Sequence, residues 1–171
     1  MTSRSLSASF FRDLNKQESP EAALIFLTIS HPNLASDIYV VSDSWNYVVG
    51  SNTFLGFPFD ITLLTDTESP PSATLTLQNV DRKIGNAILE LLEPPRLKIE
   101  VIAVSEFDET ADPRTELSAP ATVEYTADQL YLLDVDVNGS EVSARIVSWS
   151  YVQESWPGLR CTSDRTPALW R

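Results

Sequence analysis

The 171-residue sequence holds one cysteine (Cys161), one histidine (His31), five glycines and no long apolar run. Each scarcity removes a class of function. A lone cysteine has no internal disulfide partner, and a single histidine cannot head a Cys/His metal cluster, so zinc and iron–sulfur sites supplied by the chain alone are excluded. Five scattered glycines form neither a P-loop nor a dinucleotide fingerprint, and the Gly-x-Ser-x-Gly elbow is missing too. The longest apolar runs, such as Ala22 to Leu27 and Ile99 to Val104, fall far short of the roughly 18–20 residues that span a bilayer. The N-terminus has no apolar segment ahead of a small-residue cleavage site. The expectation is a soluble, unexported chain without a direct membrane anchor.

Positive charge is scarce as well: Lys+Arg number 12 against 24 Asp+Glu, for a formal net charge of −12. The balance is uneven. Residues 1–16 carry +2 (Arg4, Arg12, Lys16 against Asp13) and residues 158–171 carry +2 (Arg160, Arg165, Arg171 against Asp164), which leaves −16 for the residues between. An acidic body repels phosphate and excludes stable nucleic-acid binding through broad basic attraction.

What is present reads mainly as β-structure. Leu6, Phe10 and Leu14 recur four residues apart over Ser5 to Lys16 and predict a short amphipathic helix, ended before Pro20. Ala22 to Ser30 is almost continuously apolar, the mark of a strand buried on both faces. Short strands follow over Ile38–Val41, Trp45–Val49, Thr53–Leu55 and Phe57–Leu63, then a rigid loop at Glu68 to Pro71. Ala73–Gln78 alternates between apolar and polar residues. A mid-chain helix is expected after Asn79 or Asp81, with Ile84, Ile88, Leu91 and Leu92 at helical spacing until Pro94-Pro95. Leu97–Val104 reads as another strand, and Glu106–Glu116, acidic and poor in apolar residues, as an exposed loop. Ala121–Tyr125 and Leu130–Val137 read as two strands, the second joined to Glu141–Trp149 by an Asn138-Gly139 hairpin turn. Eight to ten short strands with two helices predict a mainly β, antiparallel sandwich or barrel in one domain, 1–171, with an N-terminal arm (1–18) and a C-terminal tail (156–171).

Candidate chemistry is thin. Asp134-x-Asp136-x-Asn138-Gly139 matches the start of a calcium loop, but its twelfth position is Arg145, a cation, so the hairpin is the stronger reading. His31 in Ser-His-Pro reads as a turn histidine. Asp108, Glu109, Asp112 and Glu116 could supply a glycosidase-like pair and read instead as a solvated loop. Cys161 reads as an ordinary reduced thiol. No catalytic, cofactor-binding or metal-ligating residue is assigned, and the chain is not expected to be an enzyme.

Taken in order, the short N-terminal helix, "LIFLTISHPNL", "SNTFLGFPFDITL", "PPSATLTLQNVDRKIGNAI" and the terminal "RTPALW" resemble bacteriophage tail-tip proteins. The motifs that carry most of this are Phe57-Pro58-Phe59, the proline-rich loop before Ala73–Val80, and the short helix after Asp81. The chain resembles a phage minor tail protein family described as a domain of unknown function, and is more distantly similar to the first domain of the lambda-type minor tail protein L. That resemblance implies a fold kin to tail-tube and hub modules. It implies a structural role in the virion, at the tail tip of a long-tailed phage, for a protein made in the host cytoplasm. The expected partners are copies of itself, with a trimer favoured over a hexamer, and the distal tail ring, tail tube and central tip protein, with DNA passing as cargo. The C-terminal cysteine cluster of the lambda-type proteins, which binds iron–sulfur, is not carried over to a chain with Cys161 alone. A distal-tail ring subunit is the alternative within this class, and a carbohydrate-binding β-sandwich using Trp45, Tyr47 and Phe54 the alternative outside it. The charge split and the enrichment of Trp and Arg at interfaces mark Arg4, Phe10, Arg12, Trp156, Arg160, Arg165, Trp170 and Arg171 as candidate subunit contacts.

Overall fold

In the computed structural model the described residues are 2–4, 6–19, 21–62, 72–78, 91, 93–118 and 120–148. The expected mid-chain helix, the Glu68–Pro71 loop and the C-terminal tail therefore lie outside them.

The fold is mainly β, a mostly antiparallel sheet that curls into a half-barrel, with one short N-terminal helix. Its elements are β1 (Thr2–Arg4), α1 (Ala8–Leu14), β2 (Ala23–Ser30), β3 (Ile38–Val41), β4 (Tyr47–Val49), β5 (Asn52–Gly56) and β6 (Phe59–Ile61). They continue with β7 (Ser72–Gln78), β8 (Arg96–Ala103), a 3₁₀ turn (Val104–Glu106), β9 (Arg114–Thr115), β10 (Val123–Val137) and β11 (Glu141–Ser148). The strand order is β6-β7-β11-β10-β8-β2-β3-β5-β4-β9, with β1 added beside β10. Two pairings, β3 with β5 and β4 with β9, are parallel. The curl brings the β6 end back toward β3, where the Phe57 N–H donates to the Val41 carbonyl at 3.1 Å.

Two hydrophobic clusters share the central strands. The larger lies inside the curl and draws Leu27 and Ile29 from β2, Leu97 and Ile99 from β8, and residues of β7, β10 and β11, with Phe57, Phe59 and Ile61 packed against it. The smaller is built from Leu24, Phe26, Val41, Tyr47, Phe54, Ile102 and Phe107. β2 serves both, with Ile25, Leu27 and Ile29 facing one cluster and Leu24 and Phe26 the other. Its continuous apolar run is thus explained by burial on two faces. Phe26 is the hub of the smaller cluster, edge-on to Tyr47 at 5.8 Å and to Phe54 at 5.0 Å.

The two strands expected at 121–125 and 130–137 are one 15-residue strand, β10. Three one-residue bulges hold it together. Val123 and Tyr125 face Ile102 and Val101, Ala127 and Leu130 face Ile99 and Leu97, and Leu133 and Asp136 face Arg145 and Ser143, so each time β10 carries one residue more than its partner. Gln129 and Asp134 sit at two of these bulges with φ of 62° and 52°. Each bulge changes which face the next residue takes. Unbroken alternation from Leu132 would turn Asp134 and Asp136 into the core. The bulge turns Val135 and Val137 toward it instead.

The acidic segment read as an exposed loop is more tightly bound than expected. Phe107 within it is 2% exposed, in the smaller cluster. Arg114–Thr115 pairs with β4 as a strand. Trp45, expected in a strand, precedes β4 in the connection from β3. The β10–β11 hairpin forms as expected, with its turn centred one residue later than Asn138-Gly139: Asn138 donates to the Glu141 carbonyl at 2.8 Å, leaving Gly139 and Ser140 between them.

Candidate functional site

The N-terminal arm is held by three devices. β1 lies against Tyr125–Ala127 of β10, on the side of β10 where β11 stops at Ser148 opposite Leu130. Ser7 then caps α1, its Oγ accepting the Phe10 N–H at 3.2 Å. The Ser7 N–H and hydroxyl both donate to the Glu124 carboxylate, at 2.5 and 2.6 Å. Glu124, at the first β10 bulge, is the buried charged residue among the described ones, 3% exposed. A buried carboxylate is stable when donors surround it, and here one capping serine supplies two.

Of the apolar face expected on this helix, Phe10 alone is buried. Its ring is covered by the chain itself, 6% exposed. Leu6, Phe11 and Leu14 are exposed instead, at 47, 57 and 60%. Leu6 and Phe11 occupy the positions before the cap and one turn into the helix where an apolar pair fixes helix entry. Arg12 is exposed beside Phe11, and Arg4 stands in β1 opposite Tyr125. Trp156, Arg160, Arg165, Trp170 and Arg171 lie outside the described residues.

A second constellation joins residues far apart in sequence. The fully buried Tyr47 donates its hydroxyl to Asp43 Oδ2 at 2.6 Å and accepts from Arg114 Nη1 at 2.7 Å. The Arg114 guanidinium lies 5.3 Å from the Trp45 ring centroid and 5.5 Å from that of Tyr47. Burial, followed by the hydrogen bond to Asp43, pushes the Tyr47 hydroxyl up to about 12. Burial also acts to raise the Asp43 carboxyl, but the bonds from Tyr47 and the Ser44 N–H and the nearby Arg114 outweigh it and hold Asp43 below its ordinary value. This arrangement fixes the 43–47 connection to β9. The sequence placed Tyr47 and Arg114 in separate segments, and only parallel pairing of β4 with β9 joins them.

Several of the remaining candidates make structural contacts. Tyr47 and Phe54 are buried and only Trp45 of that trio is exposed, so no three-ring sugar platform forms. Asp134 pairs with Arg145 at 2.7 Å, the very residue at the twelfth position of the calcium-like motif. His31 Nδ1 accepts the Asn33 N–H at 3.1 Å, as a turn histidine does. Carboxylates of the acidic segment staple backbone: Glu116 accepts from the Ala121 and Gly50 N–H groups, Glu106 from Thr122, and Asp108 from Thr110. Among the described residues no group of three His, Cys, Asp or Glu side chains is placed to hold a metal, and no helix is long and apolar enough to cross a membrane.

A half-open groove of about 520 Å³ lies along the seam of the curl, between Ser42 on one side and Pro58, Phe59 and Asp60 on the other. Thr76 to Gln78 and the hairpin residues Ser140 and Glu141 complete its lining. The family model of DUF1833, a domain of unknown function, matches residues 9–161. The chain belongs to the DUF1833 family. No curated protein matches it. The DUF1833 match takes in both clusters, the Asp43–Tyr47–Arg114 constellation and the groove, and leaves β1 and Ser7 before it. Phe10, Arg12, Trp156 and Arg160 fall inside the DUF1833 match, whereas Arg4, Arg165, Trp170 and Arg171 fall outside.

Proposed function

We propose that this DUF1833 chain is a structural, non-enzymatic subunit of the tail tip of a long-tailed bacteriophage, a hub or ring component around the DNA exit channel. It joins the tail tube to distal tip proteins. The observation that carries the reading is the ordered set of tail-tip-like motifs, with Phe57-Pro58-Phe59 leading from β5 into the terminal strand β6 of one curled sheet. Two properties support it. Among the described residues the terminal strands β6 and β9 each have a single neighbour in the sheet, and unpaired strand edges are natural points for subunit addition. The body is acidic, and negative walls let a genome pass without holding it.

Deleting the gene from a phage or prophage that carries it, and imaging the particles, tests this directly. The expected result is tails that stop at an incomplete tip, restored by the full chain and not by a chain lacking residues 156–171. Normal, infectious tails in the deletion strain would overturn the reading.

A further inference from the structure

We propose that the exposed face of the N-terminal arm seats in the seam groove of a second copy of this chain, giving a head-to-tail contact. This inference names the self-contact within the tail-tip reading and rests on that reading for its setting. The arm offers apolar Leu6, Phe11 and Leu14, all about half exposed or more, flanked by the exposed cation Arg12. The groove offers the complement: apolar Pro58 and the half-buried Phe59 with the acidic Asp60 and Glu141, and no cation among its described lining residues. Apolar centres ringed by opposite charge are how interfaces combine affinity with register.

In one chain the arm is held outside the groove. β1 is paired at Tyr125–Ala127 and Ser7 is bonded to Glu124, and none of these residues lines the groove. Two different patches of one molecule make a heterologous interface, which builds a closed ring when the rotation between copies closes.

Cysteine cross-linking of the full chain tests the contact. One variant carries Phe11→Cys and the other Asp60→Cys, both with Cys161→Ser. Phe11 and Asp60 are exposed, and circular dichroism verifies that each variant folds. Mixing the two is expected to give a disulfide-linked pair well above either variant alone. Adding Arg12→Glu to the first variant lowers its yield about tenfold, equivalent to 1.4 kcal/mol, and Glu141→Arg in the second restores it. A mixture that cross-links no better than the single variants at the highest soluble concentration overturns the contact. Imaged tails that contain the chain without this cross-link would remove the self-contact and keep the tail role. Cross-linking in solution by a chain absent from tails would do the reverse.

Discussion

Tyr47 is where burial and charge meet most sharply. Its hydroxyl is held neutral up to about pH 12, whereas an ordinary tyrosine ionises near 10. In the unfolded chain Tyr47 ionises first, so its contribution is complete below about pH 10 and is lost as pH rises toward 12. A tyrosinate absorbance titration should show a late phase near pH 12, and Tyr47→Phe should remove it. The same substitution takes the bridging hydroxyl from Asp43 and Arg114, with an expected loss of about 1.5–3 kcal/mol in denaturant unfolding, the range for hydrogen bonds to charged groups. Asp43 has the opposite sign. Its lowered carboxyl pKa stabilises the fold above its ordinary value of 3.8 and ceases to do so as pH falls below it. At Gly56 space is the constraint: an added Cβ would lie 2.6 Å from the Trp45 carbonyl oxygen. Gly56→Ala should lower stability by about 1–3 kcal/mol, as overpacking does, with the 43–47 connection the first part to show it by hydrogen exchange.

At the scale of elements, β10 depends on its bulges and the arm depends on β10. Gln129 stands in the left-handed region with φ of 62°, a conformation that disfavours most side chains by about 1–2 kcal/mol. Gln129→Gly is expected to raise the unfolding midpoint, because glycine adopts that conformation freely. Asp134 occupies a similar position, but its short polar side chain tolerates it better and is paired with Arg145 on the surface. The arm has a different dependence. Glu124→Ala removes the acceptor for the Ser7 N–H and hydroxyl, so amide exchange in α1 should accelerate while the central strands β2 and β8 keep their protection. Equal acceleration throughout would show that Glu124 supports the whole sheet and not the arm in particular.

At the scale of the whole molecule, the two clusters meet at β2 and β8 and cannot separate without breaking the sheet's centre. Leu97→Ala in the larger cluster and Phe26→Ala in the smaller should each cost about 2–5 kcal/mol. Both should shift one shared unfolding transition, followed by far-ultraviolet and near-ultraviolet circular dichroism. Two separable transitions would mean that the clusters are independent units. The charge distribution acts at this scale too. With a net charge of −12, the chain should retain no duplex DNA in a filter assay at low ionic strength, where screening is weakest.

Properties set by local periodicity and composition were legible in the sequence alone. The β class, the two-faced burial of Ala23–Ser30, the β10–β11 hairpin and the split between basic ends and acidic middle all follow from residue spacing and counts. Tertiary structure decided the rest. Alternation within β10 carries no mark of where a partner strand forces a bulge, so the union of two expected strands and the inward turn of Val135 and Val137 depend on register with β8 and β11. Helical spacing grouped Leu6, Phe10 and Leu14, but only packing chose Phe10 for the interior and left the others outside. The Ser7–Glu124 and Tyr47–Arg114 bonds join residues 117 and 67 positions apart. Such pairs exist because the sheet's topology brings strands together, and nothing in the local pattern of either segment encodes its distant partner.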